Sequence, residues 1–154
     1  MIQRIQTVWL FLCIILSLLL LEGNFLGFTG PHQESFVLNI HGLSSVSGKE
    51  TEMPGSALLM TIVLIIIPAA SAIAIFLFRK RSLQKLAVMI AILASLVLII
   101  CEGYYWSLMG SRYYASIVPG IKMVFPVIIT ILAILAYLGI RKDERLVKSY
   151  DRLR

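Results

Sequence analysis

The residues of this chain that could do chemistry are few and lie far apart in the sequence. Its two cysteines, Cys13 and Cys101, form no C-x-x-C pair, whereas thiol–disulfide exchange in a membrane needs paired thiols with a tuned pKa. His32, Glu34 and His41 share one polar stretch, but a metal site needs three or four convergent ligands. We interpret the cysteines as small apolar residues and the histidines as solvated side chains. The sequence therefore predicts no catalytic residue, no metal site and no cofactor, and indicates that the protein is not an enzyme.

The composition indicates that the elements around these residues lie in a membrane. Of 154 residues, 59% are hydrophobic and 14% are charged, whereas soluble domains average roughly half and roughly a quarter. The apolar residues are gathered into long runs, and crossing a bilayer takes about 20 of them. We predict an all-α membrane protein, a four-transmembrane-helix bundle in a single membrane domain. Its spans are expected at about 5–21, 57–78, 86–107 and 120–140.

Positive charge is unevenly divided between the two sides of these spans. Eleven of the 14 Lys and Arg residues lie before the first span, in the 79–85 loop or in the tail 141–154. Because cytoplasmic segments of membrane proteins are enriched in Lys and Arg, both termini and the 79–85 loop are predicted to be cytoplasmic. The net charge of +6 is then a topology signal, and we expect membrane lipids rather than nucleic acid as partners.

Two connections remain on the outer side. The longer one, 23–56, contains "SFVLNIHGL", in which apolar residues alternate with others as in a short strand or β-hairpin. The shorter one is rich in aromatic residues, which suit the membrane–water interface. We predict a short extracytoplasmic loop that is too small to be an independent domain.

Both ends of the chain resemble a known family. "MIQRIQT" at Met1–Thr7 and "IRKDERLVKSYDRLR" at Ile140–Arg154 resemble a family of small bacterial inner-membrane proteins, the domain of unknown function 4293. "RKRSLQK" at Arg79–Lys85 resembles its central cytoplasmic loop more loosely. The resemblance implies a four-helix protein of the bacterial cytoplasmic membrane, and it brings no activity, substrate or site.

Three charged residues from three different spans are expected at one depth near the outer interface. Counted along a helix from the cytoplasmic edge, Glu22, Glu102 and Lys122 each lie about 26–27 Å away, inside an apolar layer about 30 Å thick. Such charges are costly there unless they pair, contact water or extend into the interface. One interpretation is that each extends separately into the headgroups. The other is an outer charged cluster of Glu22, Glu102 and Lys122, which Arg112 can join.

Small residues indicate where helices pack. Close backbone approach through small side chains is the usual basis of helix packing in lipid. In spans two and three these residues recur every four positions, so they share one face of each helix, and we predict a seam between the two spans at Ala70, Ala74, Ala87, Ala91 and Ser95.

Two prolines are expected to disturb their helices. Pro68 lies in the middle of span two and Pro126 lies near the start of span four. Each removes a backbone donor, so the carbonyls of Leu64 and Lys122 should need other partners.

The tail after Ile140 is predicted to continue as a cytoplasmic helix. No Gly or Pro follows Gly139, and Glu144 and Lys148 have the spacing of a helical ion pair. A narrow apolar stripe is flanked by positive charge, a pattern that fits an anionic lipid surface or a protein groove. The residues expected to make this contact are Arg145, Leu146, Lys148, Tyr150, Arg152 and Leu153.

These features favour a non-enzymatic accessory or assembly subunit of a larger membrane complex, one that serves secretion or envelope biogenesis. The expected partner is another membrane protein or a second copy of the chain. The alternative is a small transporter, or a protein that binds lipid or a small molecule at the outer charged cluster. Against transport, no carboxylate is placed at mid-depth, where coupled transporters bind their substrates.

Overall fold

The computed structural model describes residues 2–22, 26–29, 35–39, 42–45, 50–51, 56–78, 80–114, 116–118 and 120–151. Four helices dominate them: α1 (Ile2–Leu21), α2 (Ser56–Phe76), α3 (Arg81–Tyr113) and α4 (Phe125–Asp151). α4 continues without a break through the segment predicted to be a helical tail. α3 extends well beyond the predicted end of span three, because neither Gly103 nor Gly110 interrupts it.

The helices form a bundle in which α1 packs on α2 and α4, and α3 packs on the same two helices. One core cluster joins all four helices at one end and includes Leu20, Leu64, Leu98 and Ile129. A second cluster lies at the other end and includes Leu10, Ala74, Val88 and Ile140. The bundle thus has two distinct ends, one of which carries the start of α1, the α2–α3 connection and the end of α4.

The connections at one end of the bundle contain a sheet as well as helix ends, whereas the sequence predicted no more than a short strand or hairpin there. Five antiparallel strands pair in the order β4 (Glu50–Thr51), β3 (Gly42–Ser45), β2 (Ser35–Asn39), β1 (Leu26–Thr29) and β5 (Ser116–Val118).

Strands β2 and β3 pair antiparallel in the segment where a short strand or hairpin was predicted. The sequence missed β5 because it has three residues and pairs with β1 across roughly ninety positions of the chain. Leu26 and Phe28 of β1 are buried in the first core cluster, so the sheet covers that end of the bundle.

The start of α4 corrects the expectation for Pro126. The residues Ile121–Val124 form a 3₁₀ turn, and α4 begins at Phe125. Pro126 therefore lies in the first turn of α4, where a missing N–H group costs little. The Lys122 carbonyl is not left without a donor, because the Phe125 N–H bonds to it. Pro68 does lie inside α2, as the sequence predicts.

α3 ends at a residue with left-handed backbone. Tyr114 has φ of 48°, and its N–H bonds to the Met109 carbonyl, which closes the last turn. Glycine usually occupies such positions because a side chain makes this conformation unfavourable. Strand β5 begins two residues later, at Ser116.

The outside of the bundle is apolar along much of its length. Phe11, Leu58, Leu93 and Ile131 are each more than half exposed. Three helical segments are long and apolar enough to cross a membrane: Leu58–Phe76, Arg81–Ser111 and Ile121–Leu146. The apolar segment Ile5–Leu21 of α1 is shorter. An apolar surface of this extent fits a lipid environment.

Candidate functional site

At the sheet end, the structure joins two of the residues predicted to form the outer charged cluster. The Lys122 ammonium donates a hydrogen bond to the backbone carbonyl of Glu22, 100 positions earlier in the chain. The Glu22 carboxylate itself is exposed. This contact links the end of α1 to the turn that starts α4.

Glu102 is placed differently from the other charged residues of this end. It lies on the inward face of α3 between Leu98 and Tyr105, and only 8% of its surface is exposed. Within the described residues, Glu102 makes no hydrogen bond or ion pair with Glu22 or Lys122. Arg112 lies in the last turn of α3, and its side chain is outside the described set. A cluster of all four residues stays a prediction.

The opposite end of the bundle contains a polar site that the sequence did not predict. The Gln6 amide Nε2 donates a hydrogen bond of 2.8 Å to the Asp143 carboxylate, across 137 positions of the chain. Both side chains are buried, Gln6 at 5% exposure and Asp143 at 8%. A buried amide–carboxylate pair of this kind fixes α1 against α4.

A second polar contact at this end fixes α3 against α4. Lys85 and Glu144 form an ion pair with 2.5 Å between Nζ and Oε2, and both side chains are largely shielded from solvent. The sequence had predicted Lys148, one helical turn further along α4, as a partner of Glu144. The structure pairs Glu144 with Lys85, and the Lys148 side chain lies outside the described residues. Consecutive residues of α4, Asp143 and Glu144, therefore clamp it to two different helices.

A small polar cavity lies beside the Gln6–Asp143 pair. Its volume is about 30 Å³, enough for one water molecule. Its lining includes Thr7, Arg81 and the buried Gln84, together with the pair itself. This end of the bundle is thus polar inside as well as charged outside.

We call the outward surface of α4 at this end the basic face. It consists of Leu138, Arg141, Lys142, Arg145 and Leu146, which lie on one side of the helix and border a shallow groove of about 410 Å³. Arg145 and Leu146 are exposed, in line with the contact predicted for them. The side chains of Lys148 and Tyr150, and the whole of Arg152 and Leu153, lie outside the described residues.

The interior between the two ends contains a few hydroxyl and thiol contacts. The Thr130 hydroxyl bonds to the Ser95 hydroxyl at 2.9 Å and to the Pro126 carbonyl at 2.8 Å, which links α3 to α4. The Cys13 thiol is buried and lies 3.6 Å from the Ile129 carbonyl. Cys101 is free and partly exposed on α3, consistent with two unpaired thiols.

The small residues predicted to line a seam between α2 and α3 are all buried. They are Ala70, Ala74, Ala87, Ala91 and Ser95. Ala74 and Ala87 belong to the same core cluster, and α2 packs on α3.

In the described part of the chain, no group of three His, Cys, Asp or Glu side chains is arranged around a common point. His32, Glu34 and His41 fall outside that part.

One residue in the sequence does indicate the polar end of the bundle. Gln6 interrupts the first apolar run, and a polar residue in a membrane helix usually has a partner in the protein. Asp143 was not recognisable as that partner, because it lies in a charged tail where most acidic residues are solvated.

The chain matches the family described as domain of unknown function DUF4293 over residues 2–153. None of the curated proteins matches it.

Proposed function

Because the chain belongs to the DUF4293 family over nearly its whole length, and that family's description assigns no activity, we propose a function from the geometry alone. The protein is a four-span membrane protein with its basic end in the cytoplasm. It acts as a non-catalytic accessory or assembly subunit of a larger membrane complex, and the end of α4 is its docking element.

The observation that carries this proposal is the way in which α4 leaves the bundle. The helix continues to Asp151, and its last bundle turn is clamped by the Gln6–Asp143 and Lys85–Glu144 contacts. Simple anchoring of a span needs only cations at the membrane edge. A helix that is fixed at its base projects its remaining residues in a defined direction, which lowers the entropic cost of binding a partner.

The membrane orientation has its own support. Eleven of the 14 Lys and Arg residues fall in the segments at the clamped end or in its continuation. The sheet covers the other end, where Lys and Arg are scarce.

The test is a truncation after Leu146, compared with the full chain. This deletion keeps Asp143, Glu144 and the cations of the basic face, whereas a deletion after Lys142 would also remove both clamping acids. Purification in a mild detergent should give the full chain with a stoichiometric membrane-protein partner and the truncated chain without it. Equal thermal stability of the two chains is the control for folding. If both chains retain the same partner, or neither has one, the docking role of the tail is wrong.

A second candidate function rests on Glu102. A buried carboxylate near the sheet end can bind a small cation that enters from outside. If this candidate is correct, proteoliposomes that contain the protein should show a proton or sodium flux. Glu102→Gln should abolish that flux. Flux no greater than that of protein-free vesicles would eliminate it.

A further inference from the structure

We propose that the basic face of α4 is a binding site for an anionic phospholipid, with its cations on the headgroup phosphate and its apolar residues along an acyl chain. The inference rests on the membrane placement proposed above, but it does not depend on the docking role of the tail.

The cations of this face are available for a ligand. Arg141, Lys142 and Arg145 are all exposed, and none of their side chains makes a hydrogen bond or ion pair within the described part of the chain. The two acids between them in sequence do not neutralise the face. Asp143 is buried against Gln6, and Glu144 is bonded to Lys85 on α3.

The spacing of the three cations suits a phosphate group. Arg145 follows Arg141 by one helical turn, and Lys142 lies beside both on the same surface. Two guanidinium groups and one ammonium group can together donate several charge-assisted hydrogen bonds to phosphate oxygens. The shallow groove between the long side chains has a volume of about 410 Å³, and the headgroup would lie in it.

An apolar track leads to these cations from the membrane-facing part of α4. Ile131, Leu138 and Arg145 follow one another at intervals of seven residues, so they lie nearly in line along the helix. Ile134 and Leu135 flank that line, and all four apolar residues are more than 40% exposed. The opposite face of α4, with Ile129, Ala133, Ala136 and Ile140, is buried in the bundle.

This combination identifies a lipid rather than a soluble ligand. A free phosphate would use the cations and leave the apolar track without a role. An acidic soluble protein would reach the cations only from the water side and could not cover Ile131 and Ile134. In a phospholipid with net negative charge, the acidic headgroup would lie on the cations of α4 and the acyl chain would lie along its apolar residues.

Native mass spectrometry of the full chain in detergent tests the proposal. The probes are phosphatidylglycerol, phosphatidylcholine with the same acyl chains, and inorganic phosphate. The full chain should retain phosphatidylglycerol in preference to phosphatidylcholine. The double variant Arg141→Gln/Arg145→Gln should weaken that binding by at least about tenfold, the loss expected when even one charge-assisted hydrogen bond to the phosphate is removed.

The matched control removes two cations from the same end of the bundle, in the α2–α3 connection. Arg79→Gln/Lys80→Gln changes the net charge equally and should leave phosphatidylglycerol binding within about twofold of the unmodified chain, because general attraction to a negative surface is not the proposed interaction. Thermal unfolding of both double variants checks that each is folded.

Three outcomes would overturn the proposal. Equal losses in both double variants would indicate general electrostatics. Equal retention of the two lipids would show that the face does not select a headgroup with net negative charge. If inorganic phosphate displaced phosphatidylglycerol and bound with the same affinity, the basic face would instead be a site for a soluble anion. A failure of the tail truncation to release a partner would leave these results unaffected, so the two proposals can fail independently.

Discussion

At the residue scale, a buried amide and a buried carboxylate join segments from opposite ends of the chain. Gln6 and Asp143 are each less than 10% exposed and bond directly. Burying a polar side chain costs free energy unless it has a hydrogen-bond partner. Gln6 and Asp143 each provide that partner for the other.

Removing the acceptor should therefore be more damaging than removing only its charge. Asp143→Ala leaves the Gln6 amide buried without its acceptor and is expected to cost about 1–3 kcal/mol of stability. Asp143→Asn keeps a carbonyl oxygen for the same amide and should cost less. Denaturant unfolding of the detergent-solubilised chain measures both. If the two variants lost the same amount of stability, the hydrogen bond from Gln6 would not be the cause of the loss.

A substitution at Gly139, where α4 lies close to the Gln6 side chain, tests the same contact. A Cβ atom at this position would lie 2.8 Å from the Gln6 Cγ and 3.2 Å from its Nε2 atom, so Gly139→Ala must displace the Gln6 side chain. We expect a loss of about 1–3 kcal/mol, as for other overpacked sites. On an Asp143→Ala background the loss should be smaller, because the displaced amide has no bond left to lose.

The chain offers a matched control for this substitution. Gly103 is also helical, and a Cβ there meets nothing within 4 Å. Gly103→Ala should be neutral or stabilising by up to about 1 kcal/mol, the usual helix preference for alanine. Similar losses at Gly103 and Gly139 would mean that the close approach of α1 and α4 is not the cause.

At the scale of elements, the seam predicted between α2 and α3 requires small side chains. Ala91 is completely buried, and Leu at this position would add volume where the helices approach closely. Ala91→Leu is expected to lower stability by about 1–3 kcal/mol. Ala69 is exposed on α2, so Ala69→Leu is the control and should have little effect. Unchanged thermal stability of Ala91→Leu in detergent would contradict the seam.

The sequence predicted the helices well because their signal is local. Long apolar runs and the lack of Gly or Pro after Gly139 were enough to predict the four helices and the helical continuation of the last one. The sheet was predicted only as a hairpin, because β1 and β5 are short and pair across distant parts of the chain. Contacts such as Gln6–Asp143 have no local signal, since their cause is the packing of α1 on α4.

At the scale of the whole molecule, the bundle has two chemically different ends. One end is covered by the sheet and carries Glu22, Glu102 and Lys122. The other contains the two polar clamps, the small cavity and the basic face of α4. A polar, cation-rich end next to an apolar bundle suits the cytoplasmic surface of a membrane, where anionic lipids and acidic partners are available.

The final prediction concerns the orientation of these two ends. Single cysteines at Lys80 and Tyr114, introduced after Cys13 and Cys101 are replaced by alanine, mark the basic end and the sheet end respectively. Both positions are exposed, and Tyr114 is 83% exposed. In intact cells a membrane-impermeant maleimide should label the cysteine at 114 and reach the one at 80 only after the membrane is permeabilised. Because eleven of the 14 Lys and Arg residues lie on the side of Lys80, reversed labelling would require the positive-inside rule to fail for this chain. Labelling of both positions from outside would instead show that the chain does not cross the membrane between them, and the four-span proposal would be wrong.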